Sequence, residues 1–486
     1  MKSIRLKTAS AALAALLTAA SVMACGSAAD APAVPEETTA GEQVAEETLS
    51  EEEKMYADLP EGDFEGASFS LLQYVEIAPS SGAICVEELN GEAVNDAKYE
   101  RDQAIQEKLN VEIKFTSETL DNVNKITKAM VAAGDDLYQA ISQNTPTASS
   151  KFLMQGYLVD QNTIPGLDFS RPWWNKNAMD STRLNERTYL SFGDINYYLF
   201  DFHSILIFSK PIVEDYGMSD PYAFVNDGKW TIDAFLEMCR GAAHDMNGDG
   251  MLGKKADMIG YAGYESQSDM AFTHAADAEL FSYDPDGVIS YNGVSEKFFD
   301  VISRYSPVLG SKEYALHDAS WRERFRDGLT LFCGLGVGEL SMMRDLEFEY
   351  GLVPFPKYDE NQAEYIGYVT DQMQPINVPI TAADTDLCGA VLENMAAESY
   401  RRVRENYFNG LVESKYVRDE ESVNTLRMLF AGDIRFAIER VYDWPDISKK
   451  IWESLRGKAD KFMSEMEKIQ PKFEAAMEAS LEAVSE

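Results

Sequence analysis

Residues 245–257, DMNGDGMLGKKAD, set Asp245, Asn247 and Asp249 at alternate positions ahead of Gly250. Hard oxygens at positions one, three and five, a glycine for the sharp turn at six and a main-chain carbonyl at seven, here Met251, are how a calcium loop begins. Position twelve should carry a bidentate glutamate but is Ala256, which leaves Asp257 as the expected closing ligand. A calcium sensor needs a helix on each side of the loop, whereas the following MIGYAG reads as a strand. The expectation is therefore a static calcium clip, set against an Asx/Gly turn that binds no metal. A phosphate loop through Gly248, Gly253 and Lys254 is excluded, because Lys255 stands where a hydroxyl should hold magnesium and Asp249 would repel phosphate.

Aromatic residues form the second group. RPWWNKNA places Trp173 and Trp174 side by side, and GDINYYLF places Tyr197 and Tyr198 near a suspected domain boundary. Aromatic rings can cover the flat C–H faces of sugar rings while neighbouring carboxylates and amides take the hydroxyls. Single tryptophans are also ordinary core residues, and Trp230, at the start of an amphipathic helix, is read as packing. HExxH, GxSxG and a GxGxxG following a strand do not occur, and His203, His244, His274 and His317 lack zinc spacing. With 82 acidic against 43 basic residues and a net charge of −39, nucleic acid is excluded as a partner. Apart from Cys25, the cysteines Cys85, Cys239, Cys333 and Cys388 are widely and irregularly spaced, which suggests buried thiols at least as strongly as bridges.

The elements that position these groups read as α/β. ASFSLLQYV predicts a buried strand at 67–75, the helix at about 95–109 places Ala97, Ala104, Ile105 and Leu109 inward, and a strand follows at 111–115. Strand, helix, strand in that order implies a parallel unit. NVNKITKAMVAAG predicts a helix stopping at Gly134, and DDLYQAISQ the next strand. Thr231 can cap the amphipathic helix in KWTIDAFLEMCRGA, and the last third of the chain reads as nearly all helix.

The N-terminus has three basic residues, an apolar run from Ala11 to Ala20 and then VMAC. That is a secretory signal over 1–24, and its end resembles the lipobox of bacterial lipoproteins, which implies acylation at Cys25. The run is shorter than the roughly 20 residues of a spanning helix. Residues 25–62 carry eleven acids against the single Lys54 and are read as a disordered acidic tether.

The segment FRDGLTLFCGLGVGELSMMRDLEFEYGLVPFPK (325–357) resembles the family 1 extracellular solute-binding proteins, the sugar receptors of bacterial ABC importers. GEAVNDAKYERDQAIQEKLNVEIKF, FSKPIVEDYG before KWTIDAFLEMCRGA, the Asp/Asn/Gly loop, LENMAAESYRRVRENYF and KYVRDEES follow the same order, so the match covers most of the chain from about residue 63. The resemblance implies a two-lobed periplasmic-binding-protein fold of type II, maltodextrin-binding-like, with a helical C-terminal layer. Lobe 1 would comprise 63–192 and 329–370, and lobe 2 would comprise 193–328 and 371–486. Ligand would sit between the lobes, with Tyr74, Trp173, Trp174, Tyr197 and Trp321 facing the cleft and Asp371 accepting from hydroxyls.

The function so implied is a non-enzymatic, lipid-anchored, monomeric receptor on the extracellular face of the membrane. It would bind a carbohydrate, expected to be an oligosaccharide, and deliver it to ABC permease subunits. The alternative is a surface lipoprotein glycoside hydrolase using a carboxylate pair, and 82 acids leave room for one. A third reading is a surface adhesion or scaffold protein with a vestigial cleft.

Overall fold

The computed structural model describes residues 51–75, 83–143, 151–196, 198–253, 255–264, 268–284, 287–318, 320–413 and 416–484. Cys25, the signal and most of the tether lie outside them. The chain divides after Glu53, and among the described residues the unit from Lys54 onward holds every strand. In chain order these are β1 (Ala67–Tyr74), β2 (Val111–Glu118), β3 (Ala140–Ser142), β4 (Ser204–Ser209), β5 (Ile259–Ala262), β6 (Phe281–Tyr283), β7 (Ile289–Tyr291), β8 (Ala315–Leu316), β9 (Thr330–Gly336), β10 (Tyr350–Val353), β11 (Gly367–Tyr368), β12 (Ile376–Asn377) and β13 (Ile434–Arg435).

Local chemistry sets the first unit. The helix Ala93–Leu109 ends at Asn110, which takes the left-handed conformation and releases the chain into β2. The helix Leu120–Ala133 starts where Thr119 accepts from the Asn122 N–H and stops at Gly134, φ 71°, the conformation glycine adopts without strain. β1 therefore pairs in parallel with β2 on one side and β3 on the other.

Beside the two-stranded pairs β11-β13 and β6-β7, two larger sheets result, and they share one plan. The first has the order β12-β3-β1-β2 and the second β10-β4-β9-β5-β8. In each, three parallel strands are joined by an antiparallel strand beside the third of them: β12 against β3 in the first sheet, β4 against β9 in the second. β4 is the first strand after the chain leaves the first sheet, and β12 is the strand with which it returns. Each antiparallel strand is thus the landing point of a crossing between lobes.

This topology corrects the expected lobe boundaries. β9 and β10 lie in the second sheet with β4, and β12 lies in the first. Residues 329–366 accordingly belong to the second lobe, not the first. The helix Thr385–Glu398 and the turns that follow pack on the helix Ala93–Leu109 of the first lobe, whereas the helix Glu420–Ala431 packs on β10 of the second. Assigning one continuous block by resemblance missed this, because strand order records pairing in space and not position in the chain.

The expected tether is also shorter than 25–62. A helix spans Glu51–Ala57, Tyr56 stacks on Trp173 at 5.7 Å, and Leu59 is buried in the core. The acidic composition concealed these few apolar anchors. The helical C-terminal layer is present, closing with the helix Phe462–Ala483. Among the described residues no helix is long and apolar enough to cross a membrane. Cys85, Cys239, Cys333 and Cys388 are all buried free thiols.

Candidate ligand cleft between the lobes

Two antiparallel segments cross between the sheets, one around 191–203 and one around 369–376. They pair at Ser191 with Ile376 and at His203 with Val369. In open α/β sheets, ligands bind beyond the carboxyl ends of the parallel strands, where the strand order reverses. At the end of β9, Gly336 lies so close to the first crossing that an added Cβ would meet the Asp201 carbonyl oxygen at 3.0 Å. This brings the end of the second sheet directly against Asp201.

A cavity of about 480 Å³ opens beside this point, lined by Phe200, Tyr400, Arg404, Tyr407, Phe408 and Phe430 among others. Its walls come from the crossing, from the helix Arg404–Glu413, which packs on the first lobe, and from the helix Glu420–Ala431, which packs on the second. Phe200 meets Phe430 at 4.6 Å and Tyr407 at 6.1 Å between ring centroids. A smaller cavity of about 260 Å³ shares Phe200, Arg404 and Phe430 and extends to Asn175, Asn177 and Asp194. Together they form an aromatic cleft edged with amides, guanidinium and carboxylate. A larger cavity of about 910 Å³, between the helix Glu296–Leu309 and residues 358–363, belongs to the second lobe alone.

The cleft electrostatics follow from burial. The Asp194 carboxyl is pushed up to about 7 by desolvation, against the pull of the Arg404 guanidinium 3.4 Å away. The Lys98 ammonium, bonded to the Ala83 carbonyl, is pushed down to about 7 by burial and by neighbouring Arg101, while Asp201 opposes the shift. Tyr407 donates its hydroxyl to Asp201 at 2.5 Å. His203 is pushed down to about 3 by burial and is neutral at physiological pH.

The expected site residues divide. Trp173 and Trp174 line the smaller cavity, but their rings are 1% and 3% exposed, so they form its floor and offer no open stacking platform. Both indole N–H groups donate to Glu393, to Oε1 and Oε2 respectively, at 2.8 Å each. Tyr74 lines neither cavity: it packs with Leu72, Val123, Met130 and Ile141 beside the helix Leu120–Ala133. Trp321 is likewise a core residue, packed with Phe325, Leu335 and Leu340 in the second lobe. For both, the aromatic ring gains more from burial than from a half-exposed position. Asp371 lies on the returning crossing, as expected, but Arg440 holds its Oδ2 at 2.7 Å and it is absent from both cleft cavities. Tyr197 lies outside the described residues. Trp230 is buried and donates to the Pro354 carbonyl at 2.8 Å, a packing role.

Sequence reasoning missed Phe200, Arg404, Tyr407, Phe408 and Phe430. A signal was present: Tyr400, Arg404, Tyr407 and Phe408 recur at helical spacing in ESYRRVRENYF.

The calcium loop folds as a self-satisfied turn. Asp245 accepts the Gly248 and Gly250 N–H groups at 2.7 Å, Asn247 accepts from Asp249, and Asp249 accepts from Met251. Gly250 sits at φ 78°, as the sharp turn requires. Asp257, the expected closing ligand, is fully buried next to β5, and among the described residues no three acidic, His or Cys side chains converge to hold a metal. The residues present therefore do not make a closed calcium cage.

No model of a known protein family matches the chain, and no curated protein matches it. Solved structures do. UspC from Mycobacterium tuberculosis superposes with a TM-score of 0.57 at 13% identity, covering 84% of this chain and 100% of its own. A cyclo/maltodextrin-binding protein complexed with maltotetraose gives 0.54 at 12% identity, covering 86% of this chain and 96% of its own. UgpB from M. tuberculosis, in complex with glycerophosphocholine, gives 0.52 at 12% identity, covering 85% and 98%. The fold is that of the two-lobed, maltodextrin-binding-like proteins.

Proposed function

We propose that this protein is a non-enzymatic receptor that binds a carbohydrate between its lobes and presents the closed, loaded form to an ABC importer. The carrying observation is the cleft itself. Two lobes built on one plan are joined by two paired crossings, and the cavity between them is walled by Phe200, Tyr407, Phe408 and Phe430. Aromatic walls with amides at the edge suit a sugar, and a protein of the same fold was solved with maltotetraose. Ligand that binds the closed arrangement better than the open one shifts the equilibrium toward closure.

The N-terminal signal ending in VMAC supports attachment through Cys25 on the outer face of the cell membrane, with residues 26–50 as the acidic spacer. The receptor reading implies a monomer whose macromolecular partners are the permease subunits. The calcium reading keeps one support, the spacing of Asp245, Asn247 and Asp249 around Gly250, and with no closing carboxylate among the described residues any calcium bound there would be held weakly.

The test is thermal unfolding of the full chain against a panel of mono- and oligosaccharides, with recovery of the sugar. Binding to the folded state alone raises Tm by mass action. A selective rise with the sugar recovered intact is expected. A rise accompanied by cleavage would replace this reading with the glycoside hydrolase, and no rise with any saccharide would remove carbohydrate as the ligand.

A further inference from the structure

The cleft carries charge of the sign opposite to the molecule. Acidic residues outnumber basic ones 82 to 43 along the chain, yet the described lining of the main cavity holds two guanidiniums, Arg404 and Arg427, against the single carboxylate Glu405. Both guanidiniums lie on aromatic rings. Arg404 sits over Phe200 at 5.3 Å and over Tyr400 at 5.2 Å, and Arg427 over Phe408 at 5.6 Å. Stacking occupies the faces of a guanidinium and leaves its in-plane N–H groups to meet a carboxylate; Arg404 already donates from Nη1 to Asp194 at 3.4 Å and keeps its remaining N–H groups for a ligand.

The two arginines also belong to opposite sides. Arg404 begins the helix that packs on the first lobe, and Arg427 lies on the helix that packs on the second. Arg404 is paired with Asp194 at 3.4 Å, whereas among the described residues Arg427 contacts the Phe408 ring and no carboxylate. Closing the cleft on a neutral ligand would bring like charges toward each other in a site from which water is being expelled. An anion between them turns that repulsion into two charge-assisted contacts and makes closure depend on the ligand's charge.

We propose that the ligand is an anionic saccharide bearing a ring carboxylate, a uronate, clamped between Arg404 and Arg427 while Phe200, Tyr407, Phe408 and Phe430 cover its sugar faces. This rests on the carbohydrate-receptor reading above and narrows its substrate class.

Isothermal titration of the full chain with trigalacturonate, its fully methyl-esterified form, maltotriose and glucose 6-phosphate tests it. Esterification removes the charge while keeping the sugar skeleton. The expected result is binding of trigalacturonate that weakens with added salt and is lost on esterification. Arg427→Gln, at a solvent-exposed position, should weaken that binding by about tenfold or more, as loss of a charged hydrogen-bonding partner does, with an unchanged Tm for the free protein. Glucose 6-phosphate binding without trigalacturonate binding would keep the anion clamp but overturn the carboxylate. Maltotriose or the ester binding as tightly as the acid would overturn the inference while leaving the sugar receptor standing. Binding by none of the four would overturn the inference, and the receptor reading itself would then be judged by the wider saccharide panel.

Discussion

Ser191 and Ile376 bond to each other in both directions: the Ser191 N–H donates to the Ile376 carbonyl at 3.1 Å, and the Ile376 N–H returns to the Ser191 carbonyl at 2.9 Å. These residues lie on different crossings, 185 positions apart in the chain, so this two-way pair ties the outgoing and returning segments where the lobes meet. Ser191→Pro removes both the N–H and the hydroxyl that donate to the Ile376 carbonyl, leaving it the Gln161 Nε2 alone. The expected loss is about 1 to 3 kcal/mol of stability, measured by urea unfolding. A variant as stable as the parent would show that the crossings are held elsewhere.

Glu393 holds two tryptophans at once. Replacing it by Gln keeps the shape but turns one acceptor oxygen into an NH₂ donor that faces an indole N–H. One of Trp173 and Trp174 then loses its partner, at a cost of about 1 to 3 kcal/mol for a buried unsatisfied donor. Denaturant unfolding followed by tryptophan fluorescence reads both the loss and the altered indole environment. Equal stability with an unchanged spectrum would deny the clamp.

The cleft should leave a signature in the pH profile. Asp194 titrates at about 7 in the folded chain, against 3.8 as its ordinary value. Between these values the folded state binds the extra proton, so this group's contribution is complete below pH 3.8 and is lost as pH rises through about 7. Asp194→Asn removes that loss, so the Tm of the variant minus that of the parent should grow steadily from acid pH to neutrality. Lys98 works in the opposite sense above its folded value of about 7 and up to 10.5, where the unfolded chain binds the extra proton. A flat difference below neutrality would remove Asp194 as the titrating group.

The four described cysteines should be silent in the native state. Cys85, Cys239 and Cys333 are pushed far up by burial, and Cys388 to about 12 by the same cause. Since the thiolate is the reacting species, a thiol reagent at neutral pH should label none of them before unfolding and all four in denaturant. Rapid native labelling of any one would show local opening around it.

The loop at Asp245 should answer weakly to metal. Its carboxylate already accepts backbone N–H groups, and Asp257 is fully buried. Replacing millimolar calcium with EDTA should move Tm by no more than about a degree, the scale of a site that is barely saturated. A fall of several degrees would establish a closed calcium clip after all.

Local patterns carried much of the architecture. The alternation in ASFSLLQY, the helix ended by Asn110 and the stop at Gly134 act within a few residues, and the parallel β1–β2 unit follows from them. The ordered resemblances reached the two-lobed fold. Burial and partners were decided only by the tertiary structure. Tyr74, Trp173 and Trp321 look alike as exposed binding aromatics or as core residues, because a side chain's type does not record which neighbours fold over it. The lobe assignment of β9 and β10 depended on pairing with β4, more than a hundred residues earlier. The cleft depended on joining Phe200, Arg404 and Phe430 from three distant segments. Hydrogen bonding and helical periodicity operate over neighbouring residues and leave a mark in the sequence, whereas the cleft exists only where long-range packing closes and leaves none.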